Sequence, residues 1–179
     1  MVNLPLQTSR MLLRDFVEDD WHAVHGYAAD PEVVRYMEWG PNSEAETRNY
    51  VELVIASQKD DPRLDFDLVA TLRADGRLIG ACSLHVSDPH NREGWIGYVL
   101  NRECWGQGYA TEAARVLLVF GFTQFGLHRI FATCDPRNAA SARVLEKIGM
   151  RREGHLRENK WQKGTWRDSF LYAILEHEL

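Results

Sequence analysis

The chain has 179 residues, enough for one sizeable domain and too few for two ordinary ones. Apolar residues make up 45% and charged residues 26%, a globular composition that excludes disordered and collagenous classes. With 21 Lys and Arg against 26 Asp and Glu, the formal net charge is -5. Non-specific nucleic-acid binding, which needs clustered cations on phosphates, is therefore not expected, although the balance leaves room for a local cationic pocket.

The stretch Met1–Arg14 lacks a basic start followed by an apolar run, so no signal peptide is expected. Thr8–Asp15 reads as a first strand, with Met11 and Leu13 on one face and Leu12 and Arg14 on the other. A helix is expected from about Asp19 to Ala29, and Pro31 restarts a short second one. Ser43 is an N-cap and Glu46, three residues on, completes a capping box for a helix running to about Gln58. Asp60-Asp61-Pro62 breaks the helical pattern. Phe66, Leu68, Ala70 and Leu72 then alternate with Asp65, Asp67, Val69 and Thr71, a strand period. Asp75-Gly76 supplies the positive φ of a hairpin turn, and further strands span about Leu78–Val86 and Glu93–Leu100 as expected antiparallel neighbours.

Trp105-Gly106-Gln107-Gly108-Tyr109-Ala110 turns into a helix whose Ala113, Val116, Leu117 and Phe120 share one apolar face. Arg129–Cys134 is a strand, and Asp135-Pro136-Arg137-Asn138 leads into a helix ending at Gly149. Strands around Arg152–Arg157 and Trp166–Glu176 close the chain. The order βααα-βββ-α-β-α-ββ fits an α/β (α+β) architecture: a mixed, largely antiparallel sheet of about seven strands with helices on both faces. No repeat or low-complexity run interrupts it, so residues 1–179 read as a single domain. No window approaches the roughly 20 apolar residues of a bilayer crossing, and no membrane partner is expected. Cys82, Cys104 and Cys134 are odd in number and form no Cys-x-x-Cys pair, which points to a reducing cytoplasm.

The strand ending at Leu100 runs into small residues spaced two apart, Gly106, Gly108 and Ala110, which open a helix. A helix start leaves backbone N–H groups without internal partners and adds partial positive charge. Glycine lets a phosphate approach those groups, no carboxylate lies between Trp105 and Thr111 so none is expected to neutralise the first turn, and Arg102 is close in sequence, so an anion site is expected. Spacing alone equally fits a helix start whose glycines serve close packing. A Walker loop needs Lys and Ser/Thr where Tyr109 and Ala110 stand, and a dinucleotide fingerprint needs a parallel βαβ unit that the hairpins do not supply. Further on, Asn138 occupies an N-cap position, and Ser141, Val144, Leu145 and Ile148 share one helix face, placing a hydroxyl at the head of an apolar stripe. Locally these two residues also suit a plain helix start.

Taken together, these segments resemble the GCN5-related N-acetyltransferase (GNAT) superfamily, in particular the RimJ/RimL-type branch that acetylates ribosomal-protein N-termini. The resemblance runs from Thr8–Arg14 through Ile96–Leu100, Trp105–Ala113, Asn138–Gly149 and Glu153–Arg157 to Gly164, Asp168 and Tyr172–Glu178, nearly the whole chain. It implies an enzyme, an acyltransferase that moves an acetyl group from acetyl-CoA to a primary amine, with no metal. Gly106 and the main-chain N–H groups from Gln107 through Gly108, Tyr109 and Ala110 to Thr111 are implied to hold the CoA pyrophosphate. Val99 and Leu100 would pair with the pantetheine arm, a main-chain N–H at Tyr98 or Val99 would stabilise the thioester oxyanion, and Asn138 would bond the pantetheine. Many members carry a tyrosine seven residues after this Asn as general acid; here Leu145 stands there, and the resemblance shifts that role to Ser141.

Two groups are candidates for the base that deprotonates the amine: Glu93, at the start of the strand leading to the thioester, and His85 on the neighbouring strand. Trp21, Tyr36, Met37 and Trp39, with Trp161 and Trp166 in the last hairpin, are candidates for the acceptor groove, and Glu32, Glu38, Glu44 and Glu46 could attract a cationic amine. Cys134 is given no covalent role. The acceptor is a small-molecule amine or a protein N-terminus, and self-association, if any, is expected to give a homodimer. The competing classes are a non-catalytic acyl-CoA-binding or sensing domain and a nucleotide-binding domain.

Overall fold

A computed structural model describes residues 4–179 of the chain; Met1 to Asn3, at the head of the stretch without an expected signal peptide and of the expected 1–179 domain, lie outside the described residues. The elements in order are β1 (Leu6–Gln7), β2 (Met11–Asp15), α1 (Trp21–Ala28), α2 (Glu44–Ser57), β3 (Asp65–Leu72), β4 (Leu78–Asp88) and β5 (Glu93–Leu100), followed by α3 (Tyr109–Phe125), β6 (Arg129–Cys134), α4 (Ala139–Lys147), β7 (Arg151–Gln162) and β8 (Thr165–Leu175). The strands form one mixed sheet in the order β1-β2-β3-β4-β5-β6-β8-β7, antiparallel throughout except between β5 and β6.

Strand register sorts side chains onto two faces. Phe66, Leu84 and Ile96 form one row across β3, β4 and β5 and pack under Leu117, Leu118 and Phe120 of α3 in the larger core. Val69, Ala81 and Val99 form a row on the opposite face and meet Val24, Tyr27, Val51 and Val54 of α1 and α2. Burying each large apolar side chain contributes about 1.5–3 kcal/mol, so both layers contribute to holding the sheet between them. The capping box opens α2 as the sequence predicts: the Glu46 amide donates to Ser43 Oγ and the Ser43 amide donates to Glu46 Oε2 at 2.7 Å.

The one parallel pairing is short. β5 and β6 share only Glu93↔Arg129, Gly94↔Ile130 and Trp95↔Phe131, after which they diverge. Gly94 permits the tight start, because a Cβ there would lie 2.7 Å from the His85 carbonyl oxygen and 2.8 Å from a Leu127 methyl. From Ile96 to Leu100, β5 keeps β4 on one edge and, among the described residues, has no strand on the other.

Four expectations need correction. The first expected strand starts at Met11 and not at Thr8, because the Thr8 amide donates to the Met11 carbonyl and the Thr8 hydroxyl accepts from the Met11 amide at 2.8 Å, closing a turn; the short β1 precedes that turn and raises the strand count to eight. Residues 31–36 form turns and not a helix, since the Asp30 carboxylate accepts from the Glu32 amide at 2.9 Å and burial of Val33 and Val34 fixes the chain. β7 is twice the expected length; its largely exposed, polar sequence carries no apolar alternation, and pairing with β8 alone defines it. Finally, the first turn of α3 does hold a carboxylate, Glu112, which is described below.

Candidate active site

The divergence of β5 and β6 opens a cleft of about 800 Å³ that passes through the sheet. Its lining joins the α4 side (Tyr98, Cys134, Asn138, Ser141 and Leu145) to the opposite face (Asp67, Ser83, His85, Trp95 and Gly97). Tyr36, Met37, Glu38 and Trp39 cross its mouth, tied to β7 by the Glu38–Lys160 ion pair and by the Gln162 side-chain Nε2 donating to the Met37 carbonyl.

Asn138 caps α4, its Oδ1 accepting from the Ser141 amide at 3.1 Å. The cap fixes Ser141 in the first turn, where its Oγ lies 2.9 Å from the Tyr98 hydroxyl. Burial, partly offset by the bond to Ser141, pushes the Tyr98 phenol well above its usual range, so it stays protonated and the pair always has a proton to share. Leu145 is 1% exposed in the core, and no hydroxyl replaces it one turn below Ser141. Cys134 is pushed up to about 11 by burial and by nearby Asp135 and Glu146, which leaves it a thiol.

The loop from Trp105 to Thr111 lies beyond the end of β5 and outside the cleft lining. Gly106 and Gly108 have φ of 72° and 84°, the left-handed region that favours glycine, and Gly108 is the N-cap of α3 without any side-chain cap bond. Among the described residues, no protein group accepts from the amides of Gln107 to Thr111; the first intrahelical bond runs from Glu112 N–H to the Gly108 carbonyl. Trp105 anchors the loop, its indole N–H donating to the Leu100 carbonyl at 2.9 Å. That bond occupies the Leu100 carbonyl, and Leu100 does not line the cleft, whereas Val99 does.

Arg10, which sequence reasoning did not single out, brackets this loop. Its Nη1 donates to the Gln107 carbonyl at 2.9 Å and its Nε to Glu112 at 2.7 Å, and its guanidinium lies 4.3 Å over the Tyr109 ring. Partial burial would raise the Glu112 carboxyl, but hydrogen bonds from the Thr8–Arg10 turn, including the Ser9 hydroxyl and the Arg10 amide, outweigh it and hold the group at about 2. The carboxylate in the first turn of α3 is thus spent on Arg10. Arg102 turns away from the loop to Asp30, 3.4 Å distant.

Glu93 is not brought to the cleft. It lies at the closed end of the β5–β6 junction, 2.5 Å from Arg129, which also binds Glu153 at 2.5 Å. Five residues of strand separate it from Tyr98, about 17 Å. His85 does line the cleft, but both ring nitrogens face carboxylates: Nδ1 lies 2.5 Å from Asp65 and Nε2 3.5 Å from Asp67. Burial favours the neutral ring, yet the bonds and charge of Asp67 and Asp65 prevail and raise its pKa. Of the aromatic candidates, Tyr36, Met37 and Trp39 reach the cleft; Trp21 stacks against Arg48, and Trp161 and Trp166 pair with each other near the exposed end of the β7–β8 hairpin. Glu38 is the single member of the acidic set that lines the cleft; Glu32 lies 3.9 Å from Arg35, and Glu44 and Glu46 head α2.

Two parallel strands thus part at the cleft, and the unbonded amides of a helix start lie beside the gap. Residues 10–151 match the family Acetyltransferase (GNAT) domain, and the chain belongs to that family and is an acyltransferase. N-acetyltransferase YnaD of Bacillus subtilis (strain 168) is 38% identical over 174 residues, covering 97% of this chain and 98% of its own. A solved acetyltransferase (GNAT family) from Bacillus anthracis is 38% identical with a TM-score of 0.85, covering 97% of this chain and 99% of that one. RimJ of Mycobacterium smegmatis, solved in complex with CoA-disulfide, is 28% identical with a TM-score of 0.83, over 94% and 83% of the two chains. Among the described residues, no helix is long and apolar enough to cross a membrane, and no group of three or more His, Cys, Asp or Glu could hold a metal ion.

Proposed function

We propose that this protein is an acetyl-CoA-dependent N-acetyltransferase whose acceptor, a primary amine on a small molecule or a protein N-terminus, attacks the thioester directly in a ternary complex. The observation that carries the reading is the continuity of three features: the unbonded amides of Gln107–Thr111, the free edge of β5 at Tyr98 and Val99, and the Ser141–Tyr98 hydroxyl pair. The amides suit a diphosphate, because a helix N-terminus offers aligned donors and partial positive charge. The free β5 edge suits an extended pantetheine chain, and its N–H groups suit the oxygen of the thioester carbonyl as it gains charge. RimJ of M. smegmatis, crystallised with a CoA disulfide, supports CoA as the carrier.

In the reaction the amine nitrogen bonds to the acetyl carbon, the C–S bond breaks and the sulfur leaves as a thiolate, while the nitrogen releases one proton to solvent, the equivalent of the one the thiolate takes up. Ser141 Oγ donates a hydrogen bond or its proton to that sulfur, and Tyr98 can replenish it across 2.9 Å. A thiol with a pKa of about 8.5 is a fair leaving group, so this assistance is modest. Cys82, Cys104 and Cys134, all buried free thiols, support a reducing, cytoplasmic home. The test is acceptor-dependent release of CoA thiol with pooled amines and N-terminal peptides, together with a mass gain of one acetyl group on the amine; tight acetyl-CoA binding without transfer to any acceptor would overturn it.

A further inference from the structure

Across the cleft from Ser141 lies a carboxylate with no assigned role. Register puts Asp67, Ser83 and Gly97 in one row over β3, β4 and β5, and Asp65, His85 and Trp95 in the next. Both rows belong to the face that α1 and α2 pack against, but the core formed there reaches only to the Val69–Ala81–Val99 row. Asp67, Ser83, Gly97, His85 and Trp95 are left lining the cleft. Gly97 keeps the passage clear, since a Cβ there would sit 3.1 Å from Ser83 Oγ.

The other carboxylates of the cleft are already paired. Glu38 holds Lys160, Asp135 holds Arg137 at 2.5 Å, and Asp168 holds His155 at 2.6 Å. Asp67 has only the 3.5 Å contact to His85 and is 23% exposed. His85 is taken up by the carboxylates on either side of it, its Nδ1 2.5 Å from Asp65 and its Nε2 3.5 Å from Asp67. The ring is fixed further by stacking on Trp95, 4.0 Å between centroids and 10° between planes.

We propose that Asp67 receives the acceptor amine. The ammonium docks against its carboxylate, the N–H bond breaks, directly or through one water, and the proton moves to the carboxylate as the neutral amine forms. The proton then passes to solvent through the cleft mouth. His85 is the positioning residue that orients Asp67. This inference rests on the cleft being the site of transfer.

The test compares wild type with Asp67→Asn in two measurements. In turnover with acetyl-CoA and butylamine, spermidine or an N-terminal peptide, kcat/KM for the amine should fall by about 10²-fold while acetyl-CoA affinity is unchanged. In titration of the CoA-bound protein with the same amines, which needs no turnover, the variant should bind each more weakly. Thiol release by the wild type reports on the transferase assignment, whereas the ratio between wild type and variant in amine binding reports on Asp67 whether or not turnover follows. Equal amine binding and equal kcat/KM in the two proteins would overturn the proposal. The charged groups that face His85 are Asp65 and Asp67, both on β3, with the uncharged Trp95 ring from β5. His85→Gln should therefore move the acidic limb of the kcat/KM profile to higher pH, a change that a purely structural histidine would not produce; an unmoved limb would remove it from the positioning role.

Discussion

The hydroxyl of Tyr98 on β5 lies 2.9 Å from the Oγ of Ser141 on α4, so a single hydrogen bond ties the free edge of β5 to the helix across from it. Neither group can be judged alone. Ser141→Ala should lower kcat by about 10²-fold with acetyl-CoA affinity nearly unchanged. Tyr98→Phe should lower kcat less, and its effect should vanish in the Ser141→Ala background, because both act through one hydrogen bond. Steady-state kinetics on the two single variants and the double variant measure this coupling; additive effects would separate the roles.

Gly108 sits at φ 84° with its amide among the free donors at the start of α3. Gly108→Glu introduces a side chain where the left-handed region costs about 1–2 kcal/mol and sets a negative charge on the proposed anion site. Acetyl-CoA affinity should fall by roughly 100-fold or more, about 3 kcal/mol, by titration calorimetry. Unchanged affinity would refute the loop as the diphosphate site.

Trp105 holds that loop to β5 through its indole N–H and the Leu100 carbonyl. Trp105→Phe keeps the aromatic bulk and deletes a bond with a net value of about 1 kcal/mol. Acetyl-CoA binding should weaken by about fivefold, while the melting temperature of the free protein shifts little.

Glu112 predicts an acid response. Its folded pKa, about 2, is depressed below the ordinary carboxylate value by the bonds from Ser9 and Arg10. Its contribution to stability is therefore complete above the unfolded value of about 4.3 and is lost as pH falls toward 2. Thermal melts of wild type and Glu112→Gln should differ most at pH 5 and above, and the gap should close between pH 4.5 and 2. Added salt should narrow it as well.

Local chemistry made much of this molecule legible before any coordinates. The Ser43–Glu46 box opens α2, Gly106 and Gly108 mark the start of α3, Asn138 caps α4, and the Ser141 face runs down to buried Leu145 and Ile148. Each of these depends on residues within one or two turns. The features that were not legible depend on distant partners. Arg10 grips Glu112 across 102 positions, and β7 is a strand only because β8 lies beside it. Glu93 looked like a base because it begins the strand that leads to the gap, yet strand rise carries it to the closed end, where Arg129 claims it. Asp67 was visible only as the polar partner in an alternating strand; its register with Ser83 and Gly97 gives it a place in the cleft.

The three register positions shared by β5 and β6, with the His128 and Arg129 amides donating to the Arg92 carbonyl beside them, are the backbone rungs that join the two half-sheets. Such a junction behaves as a spring with its coil at Glu93 and its open jaws at Leu100. A molecule wedged between the jaws stiffens both at once, so amide exchange should slow together along β5 and at the distal end of β6.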